Sequence, residues 1–379
     1  MRNILTAVMA TMAVFLPLQA TYASTASVEA QKIIDELGLR QASEPISKAS
    51  NWKPRKILVT APPFLTSAVP DYVERMRAAA GAAEVTVDDS GALIPDAALL
   101  KDVDAVVGLC HPVTIESAAR LFWLHNFYVG MDACAGLTAE QLAGRHFSNG
   151  KRLSGPAIAE HTIGMMISLA RSLPAYHRAQ LASEWNEALW DTVRFGELKG
   201  KTLLVVGLGG IGTEVAWRAH GLGMIVIATR NSSRAGPEYV SYVGLPEELY
   251  KLAAQADVVV NALPLTPKTE GLFDKTFFAA LKPGAMFLSV GRGKSTVTAD
   301  LVAALESGQV YGAGLDVTDP EPLPEDSPLW QMDNVIITPH ASSEGVDSLK
   351  RGAVIAVENV RRYVEGEPLL NVVNMQAGY

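Results

Sequence analysis

The chain has 379 residues, of which 49% are apolar and 19% are charged. This length favours two domains, since one domain usually has roughly 100 to 200 residues, and the composition is that of a globular protein. The net charge of −8 comes from acidic and basic residues mixed along the chain, without a basic stripe, so nucleic acid is excluded as an expected partner.

The first 23 residues have the layout of a secretory signal peptide. Arg2 gives a positive start, an apolar run covers residues 4–18, and small residues around Ala23 follow. The run is shorter than the roughly 20 residues that a membrane-spanning helix needs, so cleavage is favoured over a membrane anchor. The mature protein is therefore expected to be periplasmic or secreted and free of the membrane, with a cytoplasmic location as the alternative.

Residues 24–53 are expected to form a short helix, over 27–39, and a linker. Strand-like and helical runs then alternate, which predicts parallel sheets covered by helices. The predicted strands are 57–60, 84–87, 105–109, 122–126, 203–206, 224–228, 258–261, 285–290 and 312–315. The predicted helices are 72–80, 115–119, 158–173, one from Ile211, 246–254, 299–306 and 352–365.

The long helices 158–173 and 352–365 flank the second series of strands. They suggest that the chain crosses into a second domain and later returns. We expect a catalytic domain of residues 54–152 plus 345–379, and a dinucleotide-binding domain of residues 153–344 inserted into it. The cleft between the two domains would hold the active site.

Cys110 and Cys134 are the two cysteines of the chain. In an exported protein an even number of cysteines permits a disulfide, but the sequence favours two free buried thiols. Neither cysteine has the spacing of a metal ligand, and no cluster of His, Asp or Glu predicts a metal site.

A glycine-rich segment lies between a predicted strand and a predicted helix, the context in which G-x-G-x-x-G indicates dinucleotide binding. Gly207 permits a tight turn, Gly209 lets a pyrophosphate approach the backbone, and Gly212 lets the helix and the strand pack closely. The N-terminus of the helix offers free N–H groups to the phosphates. The motif consists of Gly207, Leu208, Gly209, Gly210, Ile211 and Gly212.

The acidic residue that binds the ribose 2′-hydroxyl of NAD in such sites is missing. After the second strand the sequence has Arg230, Asn231, Ser232 and Arg234 instead. Guanidinium and hydroxyl groups suit a 2′-phosphate, because Arg presents paired planar donors to phosphate oxygens. We expect NADP as the preferred cofactor and NAD as the alternative; a solvated loop with its arginines in water is the structural alternative.

Three ionisable residues, Arg292, Glu321 and His340, follow the later strands. Ligands bind beyond the carboxyl ends of the strands in an open parallel sheet, so these residues should converge. Arg292 can hold a substrate carboxylate with two hydrogen bonds. His340 can give a proton to a carbonyl oxygen, and Glu321 can orient and favour the imidazolium. These are the groups that carbonyl reduction needs.

From about Ile57 onward the sequence resembles the D-isomer-specific 2-hydroxyacid dehydrogenase family. The matching segments are 129–132, 159–161, 206–212, 263–269, 291–293, 316–322 and 338–340. The resemblance implies an α/β protein with two doubly wound parallel sheets, in which a Rossmann NAD(P) domain is inserted into a flavodoxin-like catalytic domain. It also implies a homodimer that forms through the dinucleotide domain.

The resemblance implies roles for individual residues. Arg292 orients the substrate, His340 is the acid/base and Glu321 is its partner carboxylate. Asp316 should lie near the nicotinamide amide, and the backbone N–H groups around Val129 and Gly130 should bind the substrate carboxylate. Further cofactor contacts are expected at Leu263, Pro264, Thr269, Val290, Gly291 and His340. Structural roles are expected for His125, His161, His177 and His220.

The expected reaction is the reduction of a small 2-keto acid, such as glyoxylate or hydroxypyruvate, to the D-2-hydroxy acid. Oxidation of formate or phosphite is a rival, but the formate type normally has an amide where this chain has Glu321. A noncatalytic dinucleotide sensor or interaction module is the rival of another class, and it has no need for a proton donor such as His340.

The signal-like segment departs from the family, whose members are mostly cytoplasmic. Three explanations are open: the cofactor stays bound outside the cytoplasm, the signal is retained or inefficient, or the protein is a binding module.

Overall fold

The computed structural model describes residues 26–134, 136–192 and 195–375, so the signal-like segment 1–23 lies outside the described residues. Within them the chain forms one sheet of five parallel strands and one of seven, with α-helices between most consecutive strands. The predicted α/β class with two doubly wound parallel sheets is confirmed.

The first sheet has the strand order β2-β1-β3-β4-β5, with the strands labelled in chain order. The sequence did not predict its last strand, because that strand carries His146, Ser148 and Asn149 rather than an apolar run. The strands are β1 (Lys56–Thr60), β2 (Glu84–Asp88), β3 (Ala105–Gly108), β4 (Trp123–Asn126) and β5 (His146–Asn149).

The second sheet has the order β12-β11-β10-β9-β6-β7-β8. Its two edge strands, β8 and β12, have three residues each and were not predicted, because so short a run carries little apolar pattern. The strands are β6 (Thr202–Val206), β7 (Ile225–Thr229), β8 (Tyr242–Gly244), β9 (Val258–Asn261), β10 (Ala285–Ser289), β11 (Val310–Leu315) and β12 (Val335–Ile337).

Two long helices connect the sheets. Helix α6 ends at Ala170, three residues before the predicted end, because Ser172 has a positive φ of 53° and Pro174 opens the next helix. The final helix, α12, packs its apolar face on the first sheet. The helices are α1 (Val28–Leu37), α2 (Pro63–Ala68), α3 (Tyr72–Ala80), α4 (Pro112–Ser117), α5 (Ala139–Leu142), α6 (Gly155–Ala170), α7 (Leu173–Leu181), α8 (Gly210–Gly221), α9 (Leu249–Ala253), α10 (Lys275–Ala280), α11 (Thr298–Glu306) and α12 (Val346–Glu365).

Cys110 and Cys134 form a disulfide, with their Cα atoms 5.4 Å apart, so the preference for two free thiols was wrong. Cys110 follows β3, and Cys134 ends a short 3₁₀ turn, Asp132–Cys134, that follows β4. Because β3 and β4 are adjacent and parallel, both cysteines lie at the same edge of the sheet. The separation of 24 residues in the sequence conceals this proximity.

Among the residues that the structure describes, no helix has both the length and the apolar character needed to cross a membrane. The described part of the chain also lacks any group of three or more His, Cys, Asp or Glu side chains that could hold a metal ion.

Candidate active site

Three neighbouring strands of the second sheet deliver the predicted catalytic residues to one edge. Arg292 follows β10, Glu321 follows β11 and His340 follows β12. These strands are adjacent and parallel, so their carboxyl ends open at the same side of the sheet. The arrangement is the one expected for a ligand site in an open parallel sheet.

His340 and Glu321 are in direct contact. The Nδ1 atom of His340 lies 3.2 Å from Oε2 of Glu321, and Oε1 of Glu321 accepts a hydrogen bond from the N–H of Thr318 at 2.9 Å. His340 has a φ of 53°, which is uncommon for a residue other than glycine. With Nδ1 engaged by the carboxylate, Nε2 is the ring nitrogen available for proton transfer to a ligand.

Asp316 lies beneath the segment that carries His340, and only 1% of it is exposed. Its Oδ1 accepts hydrogen bonds from the Thr338 hydroxyl at 2.7 Å and the Ala341 N–H at 2.8 Å, and its Oδ2 accepts one from the Ser342 N–H at 3.1 Å. Burial alone would raise the pKa of Asp316, but the hydrogen bonds from Ser342, Thr338 and Ala341 outweigh it and lower the pKa. This carboxylate thus fixes the backbone of the His340 segment; its predicted place beside the nicotinamide amide stays a prediction.

Arg292 reaches across to the loop that follows β4 of the first sheet. Its Nη2 and Nε atoms both donate to Oδ2 of Asp132, at 2.7 and 3.0 Å. Gly130 adjoins this pair so closely that a Cβ there would overlap both side chains. The carbonyl oxygens of Val129 and Gly130 accept hydrogen bonds from asparagine side chains, which leaves their N–H groups as the backbone atoms available to a ligand. No role was predicted for Asp132, although it lies in a segment that matches the family.

The glycine-rich motif has the shape that a dinucleotide requires. Gly207 has a φ of 101°, which only glycine adopts easily. A Cβ at Gly212 would overlap the carbonyl oxygen of Gly207 and lie 2.8 Å from the Val205 side chain, so helix α8 packs directly on β6. A Cβ at Gly209 would meet nothing within 4 Å. The open space beside Gly209 and the N-terminus of α8 therefore fit a pyrophosphate.

The other predicted cofactor residues adjoin this motif. A Cβ at Gly207 would lie 3.0 Å from a side-chain atom of Leu263, and one at Gly291 would lie 2.6 Å from the carbonyl oxygen of Leu263. The Thr269 hydroxyl donates to the Pro264 carbonyl at 2.7 Å. The structure thus brings the loops after β6, β9 and β10 together, and Gly210, Ile211 and Val290 lie in these same segments.

The predicted 2′-phosphate loop divides into two parts. Arg234 forms an ion pair with Glu248 at 2.6 Å and donates to the Tyr242 hydroxyl at 2.9 Å, and the Glu248 contact raises the pKa of this guanidinium. The Arg230 guanidinium instead donates to the carbonyl of Ala235 at 2.8 Å. A neutral carbonyl holds a guanidinium less strongly than a carboxylate does. Arg230 is therefore better placed than Arg234 to bind a phosphate. Asn231 and Ser232 are exposed in the same loop.

The other histidines that were expected to be structural lie outside the His340–Glu321 pair. His125 is buried in the first sheet against the Ser148 hydroxyl at 2.9 Å, and burial lowers its pKa to about 4. His161 contacts the Thr338 hydroxyl at 2.9 Å and so adjoins the His340 segment. His177 lies 3.4 Å from Gln180, and the ring of His220 packs near Tyr239.

Sequence relatives point to one family. The model for the NAD binding domain of D-isomer specific 2-hydroxyacid dehydrogenases matches residues 163–342. A glyoxylate/hydroxypyruvate reductase B of Salmonella newport (strain SL254) is 36% identical over 223 residues, which are 58% of this chain and 68% of that protein. A D-3-phosphoglycerate dehydrogenase of Methanocaldococcus jannaschii is 34% identical over 263 residues, 69% of this chain but only 49% of that protein.

Solved structures agree with the sequence relatives. The D-isomer specific 2-hydroxyacid dehydrogenase of Xanthobacter autotrophicus Py2, solved in complex with NADPH and MES, superimposes with a TM-score of 0.70 at 30% identity. The match covers 85% of this chain and 99% of that one. The chain belongs to the D-isomer specific 2-hydroxyacid dehydrogenase family.

Proposed function

We propose that this protein reduces a small 2-keto acid to the D-2-hydroxy acid, with NADPH as the preferred reductant. The proposal rests on the placement of Arg292, Glu321 and His340 after three adjacent parallel strands and on the contact between Glu321 and His340. Glyoxylate and hydroxypyruvate are the proposed substrates, because the Salmonella relative is a reductase of both.

The side chains divide the chemistry between them. The Arg292 guanidinium binds the substrate carboxylate, together with the N–H groups near Val129 and Gly130. His340 gives the proton on Nε2 to the keto oxygen, and Glu321 stabilises the imidazolium through Nδ1. The nicotinamide, when bound, supplies the hydride. The net reaction adds one hydride and one proton to the carbonyl.

The cofactor is proposed to bind between the motif of residues 207–212 and the loops after β9 and β10. Arg230 takes the 2′-phosphate, supported by the missing acidic residue and by the engagement of Arg234 with Glu248. The Xanthobacter relative, which binds NADPH, supports the same preference. NAD is the alternative cofactor.

We also propose a homodimer and export. Four large apolar side chains on and after α7 are exposed, a pattern that favours an interface with a second copy. They are Leu173 (46% exposed), Leu181 (73%), Trp185 (93%) and Trp190 (66%). Export to the periplasm or medium rests on the signal-like residues 1–23 alone.

The test is NADPH oxidation by the chain from Ser24 onward with glyoxylate, hydroxypyruvate and pyruvate, and with NADH in parallel. We expect turnover of at least one acid and a clear preference for NADPH. Arg230→Ala should lower the ratio of kcat/KM with NADPH to kcat/KM with NADH by roughly tenfold or more, as expected for a lost charge-assisted contact. The matched variant Arg234→Ala should lower this ratio less. Equal kcat/KM with NADPH and NADH contradicts the proposed preference for NADPH. Tight NADPH binding without turnover of any acid favours a noncatalytic dinucleotide sensor instead.

A further inference from the structure

Asp132 joins the two sheets at the active site. It lies in the turn after β4 of the first sheet, while its partner, Arg292, follows β10 of the second. Both Nε and Nη2 of Arg292 donate to one oxygen, Oδ2 of Asp132. The Asp132 side chain is 47% exposed and that of Arg292 is 27% exposed, so solvent and small ligands reach the pair.

The geometry assigns the donors of Arg292 to separate partners. A guanidinium has five N–H donors in one plane. Asp132 accepts two of them along the side edge formed by Nε and Nη2, and the Gly291 carbonyl accepts one from Nη1 at 2.7 Å. One donor on Nη1 and one on Nη2 remain, and within the described residues neither has an acceptor. The remaining Nη2 donor lies at the end of the guanidinium, away from the edge that Asp132 holds, and with the remaining Nη1 donor it can bind a carboxylate.

The loop that carries Asp132 is fixed on both sides. Two residues before it, the Gly130 carbonyl accepts a hydrogen bond from Asn126 at 2.8 Å, and a Cβ at Gly130 would overlap the ion pair. Two residues after it, Cys134 is bound to Cys110. Asp132 therefore holds the side edge of Arg292 from a rigid support.

We propose that Asp132 is a positioning residue for the reduction: it clamps the side edge of the Arg292 guanidinium so that the end donors face the substrate carboxylate. The inference rests on the proposed function. A carboxylate that only competed with the substrate for Arg292 would act in the opposite direction, because its removal would strengthen substrate binding. The sign of the effect separates the two roles.

The first test is steady-state kinetics of two variants with saturating NADPH. Asp132→Ala should raise KM for the keto acid by at least about tenfold while kcat changes by less than about threefold, since an orienting contact to a charged group is lost. Asp132→Asn keeps an oxygen acceptor and should stay within about threefold of the wild-type KM. The control is Asp89→Ala, which removes an exposed aspartate after β2 and should leave both constants unchanged.

The second test is independent of turnover. Isothermal titration calorimetry measures the binding of oxamate, a keto-acid analogue with a carboxylate, to the protein–NADPH complex. Asp132→Ala should bind oxamate more weakly than the wild type, and Asp132→Asn should bind it nearly as well. The Kd of NADPH should be unchanged in both variants. The proposal is overturned if Asp132→Ala binds oxamate as tightly as the wild type or more tightly, or if its KM is unchanged or lower. It is also overturned if Asp132→Asn loses as much oxamate affinity, or gains as much KM, as Asp132→Ala. A different result is that the wild type and the two variants bind oxamate as expected, while none of the keto acids is reduced. That result refutes the proposed function but supports the role of Asp132 in anion binding.

Discussion

Replacing Glu321 by glutamine removes the charge beside His340 and keeps the size of the side chain. The amide oxygen can still accept from the Thr318 N–H, so the loop after β11 should keep its conformation. What is lost is the attraction between the carboxylate and the imidazolium that donates the proton. Reduction should therefore slow, since the neutral side chain no longer stabilises the charged ring that donates the proton.

The magnitude follows from the distance and the exposure. At the 3.2 Å between His340 Nδ1 and Glu321 Oε2, Coulomb's law gives about 1.3 kcal/mol in bulk water and about 5 kcal/mol at an effective dielectric constant of about 20. Both side chains are 40% exposed or more, so solvent screening favours the lower part of this range. A loss of about 1.5–3 kcal/mol, the usual value for a hydrogen bond to a charged group, lowers kcat/KM roughly 10- to 150-fold.

The assay is kcat/KM for glyoxylate with NADPH at one neutral pH, for the wild type, Glu321→Gln and Glu325→Gln. Glu325 is an exposed carboxylate in the same loop, and its replacement should change kcat/KM by less than about twofold, as usual for exposed charges. A Glu321 variant that retains wild-type efficiency would refute the pairing of this carboxylate with the proton donor.

Two further predictions concern stability. Burial lowers the pKa of His125 from 6.5 to about 4. Between these two pH values only the unfolded chain binds a proton at His125, so the free energy of unfolding decreases as the pH is lowered. The loss is about 2 kcal/mol at about pH 5. The urea midpoint of the wild type should be lower at pH 5 than at pH 7, and that of His125→Gln should change less. An equal decrease in both proteins contradicts the prediction for His125. Replacing Cys110 and Cys134 by serine should lower the free energy of unfolding by about 3 kcal/mol, since the bond closes a 24-residue loop. An unchanged urea midpoint would argue against the disulfide.

The sequence predicts most of the sheet architecture and the convergence of Arg292, Glu321 and His340. Strands such as β6 and β9 carry runs of buried apolar residues, and in a parallel sheet the residues that follow adjacent strands must meet at one edge. The strands and the placement of these three residues after adjacent strands need only local patterns and one rule of topology; the catalytic roles stay predictions.

Other features depend on contacts that local patterns do not encode. The engagement of Arg234 with Tyr242 and Glu248 forms around β8, whose three residues give no recognisable strand signal. The Arg292–Asp132 pair depends on how the loop after β4 faces the second sheet. No periodicity within either segment reports that orientation, so a pair separated by 160 residues is invisible before the fold is known.

His340 is proposed to donate the proton in the reduction of a 2-keto acid, and glyoxylate reduction by His340→Asn, measured in parallel with NADPH binding, tests this role. Asparagine keeps a hydrogen-bonding side chain but cannot serve as the acid. We expect an NADPH Kd within about twofold of the wild type and a kcat lower by roughly 10²- to 10⁴-fold, the usual contribution of general acid catalysis. A variant that binds NADPH normally and keeps most of its kcat would show that His340 is not the proton donor.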